Sequence, residues 1–497
     1  MTNPFQRRPK RDGRHTPNLW PVWLVGPCAL LLVALAAWGL YHGAELLLAR
    51  ENTGKKPVKV QDVIKTTVTV LTLVGAVLAA LYAYRKQLLD EGTSHRADAT
   101  QLTERYTKAA EQLGHEQAAV RLAGVYAMAR LADDWPEQRQ VCVDVLCAYL
   151  RMPYETDIHG PGFRHGEREV RLTIIRSIRN HLQDPTAPTT WCGRNLDFTG
   201  ATFDGGDFSG VAFFRSVVNF SGATFSGGEV LFREAKFTGG EVLFRGAKFT
   251  GRVVDFSRAM FADDGVVDFS GATFTDGAIY FVDAAFYDGV VNFRGATFSG
   301  GEVHFIESVF YGGVVDFSSA TFADGEVHFS DATFYGGDVH FSGAMFSGGV
   351  VNFRDATFSD GEVRFSGATF AGGEVNFHSA TFSGGAIHFV VAAFAGADAN
   401  FVEATFSGGR VSFSGAEFSD GGVHFRGATF SGGAVGFVQA QFSGGVVDFS
   451  SATFSDGEVS FRDAVHSGGA VGFVGSLVGA AAGIDWGPFP PVPVNQP

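Results

Sequence analysis

From Phe220 to Phe461 phenylalanine returns at gaps that alternate between five and seven residues, a period of twelve held through twenty-one copies. The single interruption is one added residue beside Asp263-Asp264. Ahead of this array Phe198, Phe203, Phe208 and Phe213 stand five apart. Two positions before each Phe of the period-twelve array lies a small or β-branched residue, as in Val303-His304-Phe305 and Ala332-Thr333-Phe334. Side chains alternate faces along a strand, so that residue and the Phe share one side while His304 or Thr333 takes the other. The spacing therefore predicts short strands with Phe and Val or Ala inside, each twelve made of five, five and a two-residue corner such as Gly-Glu. Stacked units that cannot bury their apolar face alone make a solenoid rather than a set of globular domains. A coil is either two such twelves or one. Two Phe and two smaller residues crowd a twelve-residue tube, so sterics favour 24, with each Phe over the Phe 24 residues away.

Residues 196–475 resemble the pentapeptide-repeat family, whose unit places a small residue two positions before a central Leu or Phe, and the match holds over more than forty units. The resemblance implies a mainly β fold, a right-handed quadrilateral β-helix with four units per coil. This chain departs from the pattern in using Phe almost throughout, Thr often in place of Asp or Asn, and a two-residue insertion at every second unit. Residues 476–497, rich in Gly, Ala and Pro, read as a C-terminal cap and tail that end the ladder. The segment ahead of the repeats is similar to regions preceding such repeats in actinobacterial membrane proteins.

That leading segment has another character. Residues 1–195 carry net charge +6 and 196–497 net −20, so the two parts do different work. Residues 1–18 form a basic tail. Residues 19–84 read as a transmembrane hairpin with spans at 19–41 and 66–84, uncharged runs of 23 and 19 residues, long enough for a hydrocarbon core of roughly 30 Å. Arg7, Arg8, Lys10, Arg11 and Arg14 before the first span, with Arg85 and Lys86 after the second, favour both ends on the cytoplasmic side. The expected placement is a multi-pass protein of the cell membrane, with N-terminus and repeat domain cytoplasmic and the lipid bilayer engaged through two helices. Residues 97–183 read as an α-helical connector whose last helix, Glu169 to Gln183, is basic, its arginines solvated or near anionic lipid. Pro136 opens one connector helix and Pro153 closes it.

Chemistry is sparse by comparison. The Gly-Gly pairs recur as corners and precede no phosphate-binding helix. Cys28, Cys142, Cys147 and Cys192 lack zinc-ligand spacing and read as reduced thiols. His304, His328, His340, His388 and His424 occupy the same outward slot, which tandem duplication explains better than metal binding. No catalytic, cofactor or metal site is expected, nor a small-molecule substrate; the chain reads as a non-enzymatic scaffold for an unknown protein partner. Its candidate interaction surface is acidic: residues 301–350 hold seven Asp and Glu and no Lys or Arg. Glu302 and Glu326, and Asp338 and Glu362, are 24 apart and would stack in columns. The alternative, drawn from the family resemblance, is a DNA-mimicking regulator of a DNA-handling protein such as gyrase. Direct nucleic-acid binding is not expected of so acidic a rod.

Overall fold

The computed structural model describes residues 31, 34–35, 38–39, 42–43, 60–250, 253–275, 277–479 and 483–491. The chain divides into two compact units, Met1–Arg105 and Tyr106–Pro497. Most of the first expected span, 19–41, lies outside the described residues. In the first unit helix α1, Val60–Leu113, begins ahead of the second uncharged run. Within it Val68–Gln87, mean hydropathy 1.7, has no buried side chain among those described, and Val68, Val77, Leu78 and Leu81 are exposed. It is the one helix among the described residues long and apolar enough to cross a membrane. The expected break at 97 is absent: α1 continues unbroken to Leu113.

In the second unit α2 (Ala118–Asp134), α3 (Arg139–Arg151) and α4 (Glu167–Leu182) form a small bundle on the first coil. Val125, Met128, Cys142, Leu146, Ile174 and Ile178 make its core. Charges fasten it. The Arg139 guanidinium, 6 % exposed, donates to the carbonyls of Ala132, Pro188 and Thr190 at 2.9 to 3.0 Å. Arg121 and Arg171, both buried, face the Glu167 carboxylate at 3.0 and 3.5 Å. The arginines of α4 divide: Arg171 is buried and donates to the carbonyls of Leu150 and Met152, Arg179 pairs with Asp207 at 3.1 Å, and Arg176 is exposed, as expected of a solvated face. Arg168 pairs with Asp204, and Arg151 of α3 with Asp197, tying bundle to rod.

From Leu196 onward the chain winds into a four-sided parallel β-solenoid of about twelve turns. One coil serves for all. Val290–Asn292, Thr297–Ser299, Glu302–His304 and Val309–Tyr311 are its four sides, termed faces one to four. Face one forms a 13-stranded sheet and face four a 12-stranded sheet. Faces two and three are joined into a 22-stranded sheet because Ala393–Asn400 and Glu417–His424 run through the corner as single strands. The coil is 24 residues long: Phe329 stacks on Phe353 with centroids 4.7 Å apart and planes 5° from parallel. Val303, Phe305, Ala332 and Phe334 are fully buried, as the alternation requires. Each buried ring stabilises by roughly 1.5 to 3 kcal/mol before chain entropy is subtracted.

Two kinds of corner close each coil. After faces one and three the chain turns tightly, Ala296 N–H donating to the Phe293 carbonyl at 2.9 Å. Asp or Asn before the Phe caps this turn, as where Ser318 N–H donates to Asp316 Oδ1 at 2.8 Å. After faces two and four comes the wider corner, where glycine is needed: Gly361 has φ +100°, and a Cβ there would stand 2.2 Å from the Gly337 carbonyl oxygen. The extra residue at Asp263-Asp264 is absorbed in such a corner, both aspartates having positive φ. The ladder runs past the expected limit of 475. Leu477–Val478 pairs with Thr453 and Phe454, and Gly483–Asp485 with Glu458 to Ser460, because Val478 and Ile484 still fill inward slots. Phe489 then stands edge-on over Phe461 at 5.2 Å, and Trp486 over Phe473 at 4.8 Å, covering the last rings.

Candidate interaction surface

Backbone hydrogen bonding and inward Phe recur from rung to rung up to Phe461, so individuality there resides in the outward slots. Glu302 and Glu326 pair in register on face three. Asp338 and Glu362 are also successive rungs, Glu362 N–H donating to Asp338 Oδ1 at 2.9 Å, but they lie on face one. The four acids therefore form two columns on opposite faces, and no single patch unites them. The histidines divide likewise: His304, His328 and His424 belong to face three, His340 and His388 to face one.

Nor are these acids bare. Glu302 Oε2 lies 2.8 Å from His304 Nε2, Glu326 Oε2 lies 2.9 Å from His328 Nε2, and Glu362 pairs with Arg364. Tyr280, His304 and His328 stack at 4.8 and 4.9 Å between centroids. Burial pushes the His304 imidazole below its ordinary range, against the opposing pull of its bond to Glu302. Its Nδ1 is buried without a partner. The Cys142 and Cys147 thiols are driven up by burial to about 11 and about 12, which keeps them protonated and unreactive.

Face four carries a feature that the emphasis on acids missed. Tyr287, Tyr311 and Tyr335 follow Phe on three consecutive rungs, 42 to 51 % exposed, and stack at 5.1 Å with planes 2° and 11° apart. The signal was present as the repeated Phe-Tyr pair at 24-residue spacing. The same slot later holds Ser383, Ser407 and Ser455, each donating its hydroxyl to a Phe carbonyl one rung below at 3.2 to 3.3 Å. Beside the tyrosines run Asp283, Glu307 and Asp331, exposed at the tight turns with φ 55 to 58°. Depressions elsewhere are shallow, such as one at a glycine corner lined by Arg215, Gly239, Glu241 and Asp264. Among the described residues no cluster of three or more His, Cys, Asp or Glu is arranged to hold a metal ion.

A four-sided parallel solenoid with a small inward residue and Phe in each unit defines a repeat class, and comparison with known proteins agrees. The family model described as Pentapeptide repeats (9 copies) matches residues 300–344, inside the rod. The matched segment of the rod carries pentapeptide repeats. Among solved structures, HetL, a pentapeptide repeat protein involved in heterocyst differentiation regulation in the cyanobacterium Nostoc, is 12 % identical, with TM-score 0.18, covering 57 % of this chain and 91 % of its own. QnrB1, a plasmid-mediated fluoroquinolone resistance protein, is 20 % identical, with TM-score 0.16, covering 37 % of this chain and 88 % of its own. No curated protein matches.

Proposed function

We propose that the chain is a non-enzymatic scaffold, held at the cell membrane by a helical hairpin, whose cytoplasmic β-solenoid offers an acidic surface to a protein partner. The observation that carries this reading is the duplication of the outward slots: catalysis needs unique convergent groups, whereas this rod repeats one slot up each face and varies its charge. Binding along an extended side is what such a surface serves. Photo-crosslinking of the full chain in its own cell tests the reading. With the crosslinker at a neighbouring face-three or face-one slot, the variant Glu302→Gln, Glu326→Gln, Asp338→Asn, Glu362→Gln should lose the captured partners. Unchanged capture would reject this acidic surface. Anchoring is tested separately by reporter fusions after His42 and after Pro497, which should report opposite sides of the membrane; the same side for both would reject the hairpin.

A second reading, DNA mimicry toward gyrase or a similar enzyme, is favoured by the acids running on two opposite faces, as phosphates do on two strands. It requires the purified chain to inhibit supercoiling and the four-residue variant to lose inhibition. The scaffold reading requires no inhibition by either.

A further inference from the structure

Resting on the scaffold reading, we propose that the three rungs of face four spanning 283–288, 307–312 and 331–336 form the docking site, and that its occupant is an arginine-rich extended segment of a partner protein. The strip has a built composition. Half-buried Ala285, Val309 and Thr333 and exposed Tyr287, Tyr311 and Tyr335 lie across it. One edge is the column Asp283, Glu307, Asp331. At the other edge Asp288 follows Tyr287, its N–H donating to the Tyr311 carbonyl at 3.2 Å, and Asp360 pairs in register with Tyr335.

Three arguments select the occupant. Charge complementarity comes first: residues 259–350 contain thirteen Asp and Glu against the single Arg294. Among the described residues Asp283, Glu307 and Asp331 take part in no ion pair, while the flanking rungs neutralise the equivalent turn position, Arg258 pairing with Glu234 at 2.8 Å and Asp355 with Arg354 at 3.2 Å. Like charges on adjacent rungs repel, and a bound cation relieves that repulsion. Second, exposed tyrosines are the residues that concentrate binding energy at interfaces. Third, guanidinium both forks onto carboxylate and stacks on aromatic rings, which an ammonium does less well. The ring column is about 10 Å long, the reach of three or four extended residues.

The test uses the full chain in detergent micelles and fluorescein-labelled octa-arginine and octa-lysine, read by anisotropy at 150 mM salt. Three proteins are compared: wild type, the variant Tyr287→Ser, Tyr311→Ser, Tyr335→Ser, and the variant Asp283→Asn, Glu307→Gln, Asp331→Asn. Serine is what this slot holds further along the rod, so the first variant keeps the fold, checked by circular dichroism. Wild type should prefer octa-arginine, and the serine variant should bind it about tenfold more weakly and lose that preference. Equal octa-arginine affinity in wild type and the serine variant overturns the proposal. If the amide variant alone then loses binding, the face-four site is acidic only and its aromatic part falls; if wild type binds neither peptide, the face-four site falls, while the scaffold reading is decided by its own crosslinking test.

Discussion

Removing one ring from the middle of the rod tests the core assignment most directly. Phe341 is fully buried, stacked on Phe317 at 4.9 Å and Phe365 at 4.8 Å, with Phe322 and Phe346 tilted against it at 6.1 and 5.9 Å. Phe341→Ala forfeits the transfer of the ring and opens a cavity, together about 3 to 5 kcal/mol in a well-packed core. The upper half of that range is expected, because the rungs on either side are pinned by backbone bonds, Phe341 N–H to the Arg364 carbonyl at 2.6 Å among them, and cannot collapse into the space. About 4 kcal/mol is roughly a thousandfold in an opening equilibrium. In a solenoid each coil leans only on its neighbours, so native-state hydrogen exchange should accelerate by about that factor over residues 314–368 and stay unchanged near 220–250. The outward His340, partly exposed and 3.8 Å from Asp338, should cost about 0.5 kcal/mol when replaced by Ala. Comparable effects from the two substitutions, or loss of protection spread evenly along the rod, would refute the reasoning.

Other expectations follow from single slots. Val391 is β-branched with φ 54°, while the rungs beside it carry Gly367 and Gly415 in the same position; Val391→Gly should stabilise by about 0.5 to 1 kcal/mol net of glycine's unfolded-state entropy, seen as slower local exchange. Burial lowers the His304 pKa, so the unfolded chain binds the extra proton first: stability is full above about pH 6.5 and falls as pH drops through that value. His304→Asn, the residue used in this column at Asn352, Asn376 and Asn400, should flatten that acid loss, and an unchanged slope of melting temperature against pH would count against it. Arg139→Met strands three carbonyls and should cost about 2 to 4 kcal/mol, read as faster proteolysis near 184–195 with the distal rungs intact.

The core was legible because one requirement repeats: every rung needs a small residue and a ring pointing inward, and only a coil of 24 residues gives both room. The same arithmetic held more than was drawn from it. Glu302 and Asp338 differ by 36 residues, one and a half coils, which already assigns them to opposite faces. Other boundaries were hidden by local resemblance. Residues 85–96 fall between the expected second span and the expected connector, yet they hold no Pro and a single Gly92, so nothing breaks the backbone ladder of α1. The end of the rod was set too early because Val478 and Ile484 replace the expected ring and valine while serving the same inward slot. The buried Arg171 could not be told from the exposed Arg176 of the same helix, since its partners are carbonyls and an acid brought close only by the fold.

A repeating fold also changes where function should be sought. Any residue that the period explains says little, since the rod would keep it for packing or for turn geometry. Serine after Phe on face four is of that kind, closing a bond to the rung beneath, and so is Asp or Asn before Phe, capping the turn. Tyrosine in the serine slot gives up that bond and exposes a ring to water on three rungs in succession, beside carboxylates whose mutual repulsion the fold does nothing to offset. Folding supplies no reason for either feature. Their coincidence on the same three rungs is the reason to look for a cationic partner there before examining the histidine columns, whose acids are already paired within their own strands.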